Sequence, residues 1–146
     1  MGKPIVRCPE LERLGSLPAL SISHSQGYVV AAVAKPGMCV GIDIQRLDGI
    51  RADDVLNGAF TQPEIDLLAQ LPQQDQATSI VGLWCAKEAA AKASSMGLMG
   101  DPRQWQVSHY SLIDAQVVII HAGKSFQVKL DYTDGEILAI CHQYSE

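Results

Sequence analysis

Two short segments place carboxylates and a lysine where they could hold a divalent cation against phosphate. In Gly41-Ile42-Asp43-Ile44-Gln45-Arg46 a carboxylate interrupts an apolar run. On a strand, alternation puts Asp43 and Gln45 on one face and Ile42 and Ile44 on the other. Burying Asp43 there is costly unless a cation, a metal or several hydrogen-bond donors meet it. The alternative is an Asp at a strand end that turns to solvent or caps a neighbouring element. In Trp84-Cys85-Ala86-Lys87-Glu88-Ala89-Ala90-Ala91-Lys92, helical spacing sets Glu88 and Lys92 one turn apart on the side that carries Trp84. An ordinary surface pair of Glu and Lys is worth only about 0.2–0.5 kcal/mol, and is the competing reading. The aromatic on the same stripe argues that it faces protein.

A third segment, Ser21-Ile22-Ser23-His24-Ser25, ends a strand-like run just before Gly27, where ligand contacts commonly sit. A lone His among serines also serves as a hydrogen-bonding residue satisfied within the protein. Gly2-Lys3-Pro4 holds a lysine beside a rigid proline, with a solvated terminus as the alternative. Taken together, two carboxylates presented by separate elements suit a hard cation such as Mg2+. Lysines and a histidine nearby would neutralise phosphates. Such a site transfers a phosphorus-bearing group by positioning and charge neutralisation, without a protein nucleophile.

The elements that must position these residues are legible from pattern. The first twenty residues are punctuated by Pro4, Pro9, Gly15 and Pro18 around a turn of helix at Glu10 to Leu14. Strands are expected at 20–23, 28–34 and 39–44, the last two as apolar runs buried on both faces. Helical pattern begins at Ala52. Thr61-Gln62-Pro63-Glu64 has capping-box spacing ahead of a helix that Pro72 ends. A longer helix runs from about Asp75 to between Ser94 and Gly97. Four further strand-like segments, split by Ala122-Gly123-Lys124 and Asp134-Gly135, read as an antiparallel meander. Helices in the middle and strands at both ends predict an α+β domain, an antiparallel sheet packed with a long central helix.

Composition narrows the function classes. A chain of 146 residues suits one domain, and 47% hydrophobic against 18% charged residues lies far from the disordered regime. A net charge of -5 speaks against nucleic acid as a partner. No apolar run approaches the ~20 residues of a membrane helix, and the start lacks the apolar centre of a secretory signal. A soluble, cytoplasmic protein with no membrane partner is therefore expected. Cys8, Cys39, Cys85 and Cys141 form no C-x-x-C pair, which fits buried, reduced thiols better than a zinc ribbon or a disulfide framework.

In this order, Gly2-Lys3-Pro4, Ser21 to Ser25, Val40-Gly41-Ile42-Asp43, Phe60 with Glu64, and Trp84 to Lys92 followed by Met96-Gly97-Leu98 resemble the 4'-phosphopantetheinyl transferases. The likeness covers residues 2 to about 98. The order is similar to the larger, surfactin-synthetase type, in a short form lacking most of the N-terminal lobe. The resemblance implies one transferase domain over 1–146, with 1–26 as the end of a preceding, coenzyme A-binding lobe and 27–146 as the catalytic lobe. It implies transfer of the phosphopantetheine arm of coenzyme A to a serine hydroxyl of an apo acyl or peptidyl carrier protein, releasing adenosine 3',5'-bisphosphate.

Carried over by position, Asp43 and Glu88 would hold Mg2+, Glu88 would deprotonate the serine, and Lys92 would assist the leaving bisphosphate. Lys3, Ser23, His24, Lys87 and Lys92 would meet coenzyme A. The larger type usually carries Glu where this chain has Gln45, whose amide oxygen would be a weaker metal ligand. A family member with that change could also survive as a non-catalytic module that binds coenzyme A or a carrier. The short form implies either a homo-oligomer or a domain integrated in a polyketide or polyunsaturated fatty acid synthase. For the carrier's acidic helix, Arg46, Arg51, Val55, Leu56 and Phe60 are candidates by position, with core packing the stronger expectation for Phe60.

Overall fold

In chain order, helix α1 (Pro9–Arg13) precedes a hairpin of β1 (Ala19–Ser25) and β2 (Tyr28–Ala34), and then β3 (Met38–Arg46). Three helices follow: α2 (Ala52–Ala59), α3 (Gln62–Ala69) and α4 (Gln73–Ala93). A 3-10 turn at Pro102–Gln104 leads into β4 (Gln106–Ser111), β5 (Gln116–His121), β6 (Lys124–Thr133) and β7 (Glu136–Tyr144). The computed structural model describes residues 3–98 and 100–145, except the side chain of Tyr28.

The last four strands form the expected meander, and β3 joins its far side to give the antiparallel order β3-β7-β6-β5-β4. Asp134 and Gly135 both adopt positive φ, +49° and +76°, the backbone of a tight turn whose twist suits the β6–β7 hairpin. Register places Gly41 opposite Cys141 and Asp43 opposite Ala139. The fold is thus α+β, an antiparallel sheet against one long helix.

Helix α4 is buried from Ser79 to Ala93 on nearly every side. It lies across β3 and β7, with α2 and α3 against it as well. Its alanines allow this: Ala86, Ala89, Ala90 and Ala91 are fully buried, and their small side chains let backbones approach closely. The helix begins at Gln73, two residues before the sequence suggested, directly after Pro72. Among the described residues no helix is long and apolar enough to cross a membrane.

One burial expectation is overturned. β3 is covered on both faces, but β2 leaves Val29 and Val33 about two-thirds exposed, at 66% and 68%. The reason is topological: β2 pairs only with β1, in a separate two-stranded sheet with one side turned to β3 and the other outward. The residue 26/27 division falls in the turn of this hairpin, whose strands pair from Ala19–Ala34 to Ser25–Tyr28. The thiols also divide, Cys85 and Cys141 being buried while Cys8 and Cys39 are only partly so; all four are free.

Candidate active site

The site is built where the open edge of β3 meets the second half of α4. Two-residue alternation gives Gly41 and Asp43 the same face of β3, the one turned to α4. At Gly41 a Cβ would fall onto the Ala89 carbonyl oxygen and the Ala93 backbone nitrogen, so glycine is what lets the helix descend onto the strand. That approach brings Lys92 over the strand edge. Its Nζ donates to Asp43 Oδ1 at 3.0 Å and to the Ile42 carbonyl at 2.9 Å. Asp43 is 4% exposed and takes two more hydrogen bonds, from Ser23 Oγ to Oδ1 at 3.1 Å and from Gln45 Nε2 to Oδ2 at 3.0 Å. The cost of burying this carboxylate is met by a cation and two neutral donors.

Glu88 lies one helical turn before Lys92 and is half-buried. Its pKa is raised to about 7, first by burial and then by the charge of Asp43, with Lys92 pulling the other way. The carboxylates of Asp43 and Glu88 therefore sit in each other's field, and among the described residues none hydrogen-bonds Glu88. A raised carboxyl pKa means that folding favours the protonated form. Stability from this group is full below pH 4.5 and declines as pH rises through 7, by about 2–3 kcal/mol in all. Urea midpoints of metal-free protein at pH 5 and pH 8 should show that decline, and Glu88→Gln should flatten it. An equal decline in the variant would mean that other groups set the slope.

A cavity of about 490 Å³ opens beside this cluster, with Lys3, Ser23, His24, Lys92 and the turn at Ser95 to Gly97 in its wall. Lys3 Nζ donates to Ser95 Oγ at 2.9 Å, and both residues line the cavity. Gly2 of the same motif lies outside the described residues. Lys92 and Ser23 belong to both cavity and cluster, so they join the carboxylates to a space of ligand size.

Lys87 goes elsewhere, which corrects the expectation that it meets coenzyme A. One residue is about 100° around a helix, so Lys87 points away from Glu88, between α4 and the shorter helices. It has no solvent exposure and donates to Glu64 Oε2 at 3.0 Å, to the Ala59 carbonyl at 2.8 Å and to the Pro102 carbonyl at 3.4 Å. Its ammonium also lies 4.5 Å from the centre of the Phe60 ring. Glu64 accepts in addition from the Thr61 and Val107 backbone N–H groups, both at 2.7 Å. The capping-box glutamate is thus the anion of a buried knot that ties α3, α4 and β4 together. Phe60 is core, at 3% exposure, which removes it from any carrier surface. Val55 and Leu56 pack partly against the core, while Arg46 and Arg51 pair at the surface with Asp48 and Asp54.

The pattern of alternating serines escaped a full reading. Ser21 and Ser23 face β3 together, and each takes a backbone N–H from its edge. The i, i+2 repeat in Ser21-Ile22-Ser23 was the available signal.

Among the described residues no three His, Cys, Asp or Glu side chains group as a metal site. The donor set is two carboxylates and the Gln45 amide. That set fits a hard divalent cation completed by water and phosphate oxygens, because Glu88 has no hydrogen-bond partner among the described residues and stands in the field of Asp43.

The site thus sits where an antiparallel sheet closes on a long helix, with two carboxylates and a lysine at the junction. The family model of the 4'-phosphopantetheinyl transferase superfamily matches residues 39–141, and the chain belongs to that superfamily. Its activity is of the phosphopantetheinyl-transferase type, and membership implies coenzyme A and a carrier protein as partners in general terms. A search of curated proteins finds no match to the chain.

Proposed function

We propose that this chain transfers the 4'-phosphopantetheine arm of coenzyme A to a serine hydroxyl of an apo acyl or peptidyl carrier protein in a Mg2+-dependent reaction. The observation that carries the reading is the convergence of Asp43, Glu88 and Lys92 beside the cavity that Lys3 and His24 line. Asp43 and Glu88 would hold the cation. Bound Mg2+ would screen the pyrophosphate and make its phosphorus a better electrophile. Lys3 and His24, both in the cavity wall, would meet the phosphates of the nucleotide end. The serine oxygen forms a bond to the phosphorus of the pantetheine arm as the bond to the bridging oxygen breaks, and adenosine 3',5'-bisphosphate departs. Glu88 would accept the serine proton as that bond forms. Lys92 neutralises the charge that accumulates on the leaving phosphate.

Gln45 donates its amide N–H to Asp43 in place of offering a third negative charge. It steadies the carboxylate, and its oxygen stays a weak ligand at best.

Mass spectrometry of an apo carrier protein incubated with the full chain, coenzyme A and Mg2+ tests the proposal. The expected result is a gain of one phosphopantetheine arm per carrier, abolished by a chelator. An unchanged carrier mass with folded protein overturns it in favour of a non-catalytic module that binds coenzyme A or a carrier. Activity that emerges only in Gln45→Glu would support that second reading.

A further inference from the structure

We infer that Ser23 is a positioning residue for Asp43: its hydroxyl fixes where the carboxylate points and is not available to a nucleotide phosphate. The assignment deepens the transferase reading and rests on it for its kinetic consequences.

The geometry follows from the inventory of donors. Ser23 is 5% exposed. The Ile44 backbone N–H donates to Ser23 Oγ at 3.2 Å, and Ser23 Oγ lies 3.1 Å from Asp43 Oδ1. A backbone N–H can only donate and an ionised carboxylate can only accept, so the single hydroxyl proton is directed at Asp43. β3 is the outer strand of its sheet, and the Ile42 and Ile44 N–H groups find serine oxygens there in place of a ladder. Ser21 makes the same stitch to Ile42 at 3.0 Å and is equally buried, but among the described residues no carboxylate receives its proton. The chain thus contains its own control: Ser21 stitches, while Ser23 stitches and aims.

Aim matters because, among the described residues, the other partner of Asp43 Oδ1 is Lys92, whose side chain is 30% exposed. Without Ser23, Oδ1 is left to Lys92 alone and the carboxylate is fixed from the other side only by Gln45 at Oδ2. Groups that orient a ligating carboxylate typically change metal affinity or activity about 10–100-fold when removed.

The test compares Ser23→Ala, Ser21→Ala and Ser23→Thr in the full chain. Both alanine variants should lose similar thermal stability, since each orphans one strand-edge N–H. Ser23→Ala alone should lower kcat and weaken Mn2+ binding, followed by calorimetry, each about tenfold, with the KM for coenzyme A within about twofold. Ser23→Thr should restore both. A raised KM with kcat and Mn2+ binding intact would overturn the inference and make Ser23 a phosphate ligand. Indistinguishable alanine variants would overturn it too, leaving only the stitch. A wild-type chain that transfers nothing and binds no Mn2+ sinks the transferase reading instead. The 13C signal of the Asp43 carboxyl then decides separately: it should shift in Ser23→Ala but not in Ser21→Ala, and an unmoved signal rejects the positioning role.

Discussion

Asp43→Ala should reduce carrier modification by roughly 10³-fold while the chain stays folded, because the residue's partners are organised around charge more than around packing. Its carboxylate receives Lys92, Ser23 and Gln45, and it also raises Glu88. Removing it deletes one of two anionic cation ligands and returns Glu88 toward an ordinary carboxyl pKa, so the remaining ligand and the base change together. The structural cost is smaller. Lys92 is partly exposed and can recover water, and Gln45 is only partly buried, leaving mainly the Ser23 hydroxyl proton without an acceptor. About 1–2 kcal/mol is expected from such a loss. Initial rates of carrier mass gain and a urea midpoint on the same sample separate the two effects. Activity within tenfold of wild type would remove Asp43 from the reaction, whatever the midpoint shows.

That Asp43, Glu88 and Lys92 lie together was readable because each placement needed only one period: two residues on a strand, four on a helix. The meander was readable for a similar reason, since Asp134-Gly135 and Ala122-Gly123 name their turns. What failed required knowledge of a third element. Lys87 stands next to Glu88 in the chain, and its true partner, Glu64, lies 23 residues earlier on a different helix. Nothing local distinguishes a lysine bound for a phosphate from one bound for a buried carboxylate. The β2 run failed for a different reason: Val29 and Val33 are apolar although they face outward, so the alternation that marks a half-exposed strand was absent. The hydrogen bonds of Ser23 were hidden for the same reason, because they depend on β3 being the outer strand of its sheet, a feature of topology.

Gly41→Val should abolish folding to a single native state, the largest stability effect expected of any one substitution in this chain. The close neighbours of a new Cβ at Gly41 are backbone atoms of Ala89 and Ala93, which cannot change rotamer to make room. The helix cannot slide aside either, because Ala86, Ala89, Ala90 and Ala91 are already sealed on all sides. Overpacking against movable side chains costs about 1–3 kcal/mol, and a rigid backbone obstacle should exceed that range. Such a loss consumes much of the roughly 5–15 kcal/mol that holds a typical domain together. Gly41→Ala grades the effect: if it still folds, α4 must have lifted from β3. Lys92 would then lose the Ile42 carbonyl and Asp43 together, and the field of Asp43 at Glu88 would weaken. The Glu88 pKa in that variant, followed by carboxyl 13C NMR, should fall below about 7 as helix and strand separate. A folded Gly41→Ala protein with the Glu88 titration unmoved would show that the helix reaches the strand without needing a glycine beneath it.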